Sequence, residues 1–152
     1  MIAVRRCENR LAFAAFILPF CIDDFKAVSP SLPLTPEIIE KATASWEIVE
    51  FFDTEKGVIV GATAREPNHH VHLYVDPERR ASWRPHTSLQ GGLDIFLSAS
   101  DTLYAAIPVA NKVTISIVRK LGFLPTRTEN GIAFHVLTSQ TRKTFRKDQG
   151  RR

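Results

Sequence analysis

The sequence predicts a single mixed α/β domain, and three observations carry that expectation. Its 152 residues are enough to enclose one hydrophobic core. Segments with helical apolar spacing alternate with short runs rich in β-branched and aromatic residues. No internal repeat or low-complexity tract interrupts that alternation. The composition is ordinary for a globular protein, 44% hydrophobic and 24% charged, and no apolar run approaches the ~20 residues of a membrane span.

IAVRRC (2–7) reads as a short strand. LAFAAFILPF (11–20) follows Arg5 and Arg6 and has the outline of a secretory leader. Glu8, Asn9 and Arg10 intervene, however, and no small-residue cleavage site precedes Asp23 and Asp24. The segment is read as a core helix of a protein expected in the cytoplasm. Cys7 and Cys21 have neither metal nor redox spacing and are expected to remain thiols. After a proline-rich loop from Ser29, Thr35 can cap a helix that has Pro36 at its first position and runs to about Ala44.

EIVEFFDTEKGVIVGATAR (47–65) predicts two strands joined by a turn at 53–57, and NHHVHLYVD (68–76) predicts a third. PHTSLQGGLDIFLSA (85–99) carries Leu89, Leu93, Phe96 and Leu97 at helical spacing, with Pro85 suited to the first turn. TLYAAIP (102–108) is a strand, and GFLPTRTENGIAFHVLTS (122–139) reads as two strands around Glu129, Asn130 and Gly131. KVTISIV (112–118) is ambiguous. Its β-branched residues alternate as in a strand, while Val113, Ile117, Val118 and Leu121 make a helical stripe that Gly122 could end. Propensity alone favours the strand.

Positive charge gathers at the C-terminus. Residues 139–152 carry a net +5 and leave residues 1–138 at −1. The folded domain is therefore placed at 1–139, with 140–152 as a basic, flexible tail; contact with nucleic acid or an acidic partner is the alternative use.

NKVTISIVRKLGF (111–123), preceded by the strand TLYAAIP, resembles the closing part of the GCN5-related N-acetyltransferases, the GNAT family. There a strand leads to an asparagine-started helix ending in K-L-G-F before a final hairpin; here Asn111, Lys120, Leu121, Gly122 and Phe123 fall in register. The resemblance covers about residues 1–139. It implies a helix over 112–121 and an α/β (α+β) fold: a mixed, mostly antiparallel splayed sheet flanked by helices, in the order β-α-α-β-β-β-α-β-α-β-β. It also implies acyl-coenzyme A, most simply acetyl-CoA, bound in the cleft between the fourth and fifth strands.

In that family the fourth strand ends in V-x-P, and a loop of form Q/R-x-x-G-x-G/A holds the pyrophosphate with its N–H groups and helix dipole. Val75, Asp76 and Pro77 match the strand end. Counted from Arg80, Trp83 and Pro85 occupy the glycine positions; counted from Arg84, Thr87 and Leu89 do, and Gly91 and Gly92 come too late. The resemblance leaves a coenzyme-binding set of Leu73 and Val75 on the strand, Arg80 and Arg84 as charges, His86, Thr87 and Ser88 as N–H donors, and Asn111. The family's tyrosine acid maps to Val118, so none is supplied. The general base maps to His69, with His70 or His72 able to replace it through a bulge; His69 and His72 are the catalytic candidates. His70 and His72 would share a strand face, as in some zinc sites, but no third ligand is placed, so no metal is expected. Tyr74 and Tyr104 read as structural strand residues.

Two functions follow from the resemblance. One is an acyl-CoA-dependent N-acyltransferase acting on an amine of a small molecule or a protein. The other is a non-catalytic GNAT-like interaction or structural protein, of the reduced kind also found among phage-encoded proteins. No membrane partner is expected.

Overall fold

The computed structural model describes residues 1–28, 33–76, 78–79 and 85–142, with backbone alone at 23–28 and at 86. The chain runs β1 (Ile2–Arg6), α1 (Arg10–Val28), α2 (Pro36–Ala42), β2 (Glu47–Asp53), β3 (Val58–Arg65), β4 (Val71–Val75), α3 (Pro85–Ala99), β5 (Thr102–Pro108), α4 (Lys112–Lys120), β6 (Leu124–Glu129) and β7 (Ile132–Thr138). That is the expected order of elements, in a mostly antiparallel sheet flanked by helices. No helix among the described residues is long and apolar enough to cross a membrane.

Local chemistry sets the element ends. Asn9 Oδ1 accepts the Ala12 N–H at 3.0 Å at the start of α1, and Thr35 Oγ1 accepts that of Ile38 at 3.3 Å at the start of α2. Asn111 Oδ1 does the same for Thr114 at 3.1 Å, so the ambiguous segment becomes α4. Gly122, at φ 101°, then takes the left-handed conformation that stops it. Local β preference loses because a helix buries Val118 and Leu121 in the core, where Ile115 and Ile117 also pack. Asn130 and Gly131, at φ 50° and 76°, make the tight turn between β6 and β7.

The strands form two antiparallel half-sheets, β1-β2-β3-β4 and β5-β7-β6. Among the described residues they meet through one parallel bridge, His70 to Tyr104, in which the Tyr104 N–H donates to the His69 carbonyl at 3.0 Å. Beyond that point β4 and β5 separate, and the sheet opens into a cleft. Val49, Phe51, Leu89, Leu93, Phe96, Leu103 and Leu121 fill the core on the α3 and α4 side. Phe13, Ala14, Ile17, Ile39, Ile48 and Tyr74 fill the α1 and α2 side. Each face of the sheet is thus covered by helices, which hold the two half-sheets in place where hydrogen bonds do not.

Gly92 serves this packing. A Cβ on Gly92 would lie 2.6 Å from Thr63 Cγ2 and 3.5 Å from the Phe51 ring, so α3 sits on β2 and β3 at glycine distance.

Four boundaries differ from expectation. Helix α1 extends well past residue 20 despite Pro19, and α2 stops at Ala42. The strand expected over 68–76 shortens to β4, because residues 66–70 form the connecting turn. There the Asn68 side chain accepts the His70 N–H at 3.1 Å, and His69 takes φ 70°. At the C-terminus, Ser139 to Arg142 make a helical turn, and Arg142 is only 4% exposed. Its guanidinium donates to Asp94 Oδ1 at 3.3 Å, to the Leu121 carbonyl at 3.3 Å and to the Gln90 carbonyl at 3.4 Å. The first three residues assigned to a tail therefore lie on the body; residues 143–152 fall outside the described residues.

Candidate active site

The cleft takes its chemistry from the main chain of β4. The Glu66 N–H donates to the His70 carbonyl at 2.8 Å and the Asp76 N–H to the Val60 carbonyl at 3.1 Å. In an antiparallel pair alternate residues point their backbone groups at the partner, so His70, His72, Tyr74 and Asp76 face β3. Val71, Leu73 and Val75 turn their N–H and C=O groups the other way, toward β5. Val71 adjoins the His70–Tyr104 bridge; past it the strands have parted, and no ladder joins β4 to β5 among the described residues. Leu73 and Val75, picked out from the sequence, are the residues left on this open edge.

The side chains of β4 divide between the two faces. His72 and Tyr74 lie on the α1 and α2 side, and the His72 ring stacks on Trp46 with centroids 4.7 Å apart and planes 4° apart. Tyr74 flanks the other side at 6.3 Å and 11°. Trp46 is fixed by Arg10, whose guanidinium donates to the Trp46 carbonyl at 2.7 Å and to that of Thr43 at 3.0 Å. His72 Nε2 lies 2.8 Å from Glu66 Oε2. An ionised carboxylate only accepts, so Nε2 carries the proton and Nδ1 presents a lone pair. With the His72 side chain 37% exposed, this is a histidine–carboxylate dyad open to solvent on one side.

His69 is engaged differently. Its Nδ1 lies 3.2 Å from Arg65 Nη1 and 3.1 Å from Ser100 Oγ. A guanidinium only donates, so Nδ1 is the acceptor and the neutral ring carries its proton on Nε2. No lone pair is left to take a substrate proton. Arg65 is itself anchored at 2.6 Å to Glu47, which Arg6 also contacts. Burial pushes the Glu47 carboxyl up, but the hydrogen bonds from Arg6 and Arg65 outweigh it and hold the group below the usual carboxylate range. His69 thus belongs to a network that secures the turn and the bridge to β5. The His70 ring lies 5.6 Å from that of Tyr104, which is exposed at the mouth of the cleft.

Of the remaining candidates, those described lie at the starts of α3 and α4. Pro85 opens α3, so the first backbone donors of that helix come from residues 86–88; Thr87 is exposed and the Ser88 side chain is buried. Asn111 uses Oδ1 as a helix cap, and Val118 is buried. Arg80 and Arg84 lie outside the described residues, as do Pro77 and Trp83. Sequence reasoning missed Glu66 and the stacking role of Trp46. The register that sets Ala64 opposite His72 depends on the 66–70 turn, which propensity had assigned in part to the strand.

Two further titratable groups lie outside this constellation. His135 on β7 is 1% exposed, and neither ring nitrogen has a hydrogen-bond partner among the described residues; burial pulls its pKa below the usual histidine value. Burial, followed by its contact with Glu50, pushes the Cys7 thiol up to about 12. Glu50 is itself 1% exposed and bonded to Arg5 Nε at 3.2 Å.

A two-part sheet that splays between its fourth and fifth strands, with an unpaired β4 edge and α3 and α4 on one face, is the fold of the GCN5-related N-acetyltransferases. The chain superposes with a TM-score of 0.70 on a presumed acetyltransferase from Acinetobacter baylyi ADP1, at 17% identity over 91% of this chain and 93% of that one. Spermidine N-acetyltransferase from Vibrio cholerae, in complex with CoA and spermine, matches at TM-score 0.70 and 13% identity over 93% and 98% of the two chains. A presumed acyl-CoA N-acyltransferase from Klebsiella pneumoniae matches at 0.62 and 13%, over 91% and 97%. By sequence, no family model and no curated protein matches.

Proposed function

We infer that the protein is an acyl-coenzyme A-dependent N-acyltransferase that acetylates a primary amine. The open edge of β4 carries the reading. An extended amide-bearing arm, such as the pantetheine of acetyl-CoA, could pair with the backbone groups of Leu73 and Val75 as an added strand would. Its phosphates would then lie toward α3, where the N–H groups of residues 86–88 and the charges of Arg80 and Arg84 are proposed to receive them.

His72 is assigned as the general base, in preference to His69, with Glu66 holding its tautomer. The substrate ammonium gives one proton to His72 Nδ1, and the freed amine attacks the thioester carbonyl carbon. A β4 backbone N–H facing the cleft stabilises the charge that develops on the carbonyl oxygen. The tetrahedral intermediate collapses with cleavage of the C–S bond. The nitrogen's second proton passes to the departing sulfur, giving the amide and coenzyme A thiol, while His72 returns its proton to water. No side-chain acid is needed, in keeping with a valine at position 118.

Calorimetric titration with acetyl-CoA tests the binding step. Micromolar to sub-millimolar affinity is expected, weakened roughly ten- to a hundredfold by Arg84→Ala through loss of a charged contact of ~1.5–3 kcal/mol. Absence of binding at millimolar acetyl-CoA would remove the enzyme reading and leave a GNAT-shaped interaction protein.

A further inference from the structure

Side chains tie the two half-sheets together at one end of the sheet. Arg6 ends β1, Glu47 begins β2 and Arg65 ends β3, and the parallel bridge sets the start of β5 beside the start of β4. A continuous set of contacts crosses that end. Arg6 Nη1 donates to Glu47, Arg65 Nη2 donates to Glu47 Oε2 at 2.6 Å, and Arg65 Nη1 donates to His69 Nδ1 at 3.2 Å. Ser100 Oγ, in the link between α3 and β5, lies 3.1 Å from the same nitrogen and 3.0 Å from the Thr102 carbonyl. The chain of contacts thus begins on β1 and ends on β5.

Three features set it apart from an ordinary surface network. The side chains of Arg65 and Glu47 are 17% and 19% exposed, so water screens their attraction less than that of an exposed pair. His69 holds φ 70°, which a residue with a Cβ keeps only where its surroundings fix it. The same residue supplies the carbonyl that accepts the Tyr104 N–H at 3.0 Å, so the ring held between Arg65 and Ser100 belongs to the bridge itself. Ser100 is the pivot of the arrangement. Its single hydroxyl proton faces two acceptors, His69 Nδ1 beside β4 and the Thr102 carbonyl on β5.

A small change at this end is magnified at the other. Val75 lies four residues beyond Val71, or ~13 Å along the strand, so a rotation of ~5° about the bridge moves it by ~1 Å. That exceeds the ~0.5 Å range over which N–H···O distances remain good. A ligand arm could then no longer pair with Leu73 and Val75 while keeping its contacts on the far wall.

We propose that the contacts from Arg6 to Thr102 form a clasp that fixes the angle at which β4 and β5 part and so presets the width of the cleft, with Ser100 as its positioning residue. Acetyl-CoA as the molecule that fills the cleft rests on the acyltransferase reading, whereas the clasp is measurable without any ligand.

Hydrogen exchange of the Tyr104 and Ala62 amides is followed by NMR in the ligand-free full-length protein, and acetyl-CoA is titrated by calorimetry. In Ser100→Ala the Tyr104 amide should exchange roughly tenfold faster, while Ala62, inside the β2-β3-β4 ladder, and the urea midpoint stay unchanged. Acetyl-CoA affinity should fall roughly fivefold. Ser100→Thr, which keeps the hydroxyl, should restore both values. A merely structural role would speed exchange at Ala62 as well and leave the affinity of the folded fraction intact. That pattern, an unchanged Tyr104 rate, or no rescue by threonine overturns the clasp while acyl transfer can still stand. Faster Tyr104 exchange with threonine rescue, in a protein whose wild type binds no acetyl-CoA at millimolar concentration, supports the clasp and sinks the acyltransferase reading instead.

Discussion

His69 and His72 lie three positions apart, and their hydrogen bonds give them opposite abilities. Arg65 occupies the nitrogen with which His69 could take a proton, whereas Glu66 leaves that nitrogen free on His72. His72→Gln is expected to lower kcat by about 10²–10⁴ and to flatten the acid limb of the pH–rate profile. His69→Asn, a residue that tolerates positive φ, should keep that limb and change mainly stability. Equal loss of the acid limb in both variants would remove the assignment. Cys7 allows a separate check. With its thiol pushed up to about 12, little thiolate exists at pH 8, so iodoacetamide should leave Cys7 unmodified in the native protein and label it after denaturation, read by peptide mass spectrometry.

At the scale of elements, α3 depends on close approach. In Gly92→Ala, helix propensity would return up to ~1 kcal/mol, but the new methyl meets buried Thr63 inside contact distance, and overpacking of that kind costs ~1–3 kcal/mol. Packing wins, and the midpoint of thermal unfolding should fall by a few degrees. Arg142→Ala removes three hydrogen bonds from a 4% exposed guanidinium that ties the C-terminal turn to α3 and the end of α4. It should lose ~1–3 kcal/mol in urea unfolding, whereas an unchanged midpoint would mean the turn is not docked in solution. These elements were unequally legible. Caps, turns and apolar spacing are local, so Thr35, Asn130-Gly131 and the stripe of α3 marked their elements directly. The α4 segment was not, since only burial of Val118 and Leu121 against distant strands decides between its two patterns. The dyad was half legible: His72 was visible, but Glu66 reaches it through hairpin register. Arg142 looked like tail because its partners are 21 to 52 residues away.

For the whole molecule, His135 links stability to pH. Burial lowers its pKa in the folded state, while the unfolded chain binds a proton near the ordinary value of 6.5. Between those values the unfolded state holds more protons, so the contribution is complete above about pH 6.5 and is lost as pH falls toward the folded value. Glu47, held below the ordinary 4.5, gives its own contribution up only at lower pH and leaves this window clear. The urea midpoint should therefore drop between pH 7.5 and 5.5, and His135→Leu should shrink the drop. An equal drop in both proteins would place the acid sensitivity elsewhere. The open edge of β4 bears on ancestry as well. Its donors and acceptors are peptide groups, so exchanging the side chains of Leu73 and Val75 for other strand-compatible ones leaves every one of them in place. Selection acting on such an edge preserves a contour and tolerates turnover of letters, so kinship built around it persists in shape long after it has faded from the alphabet.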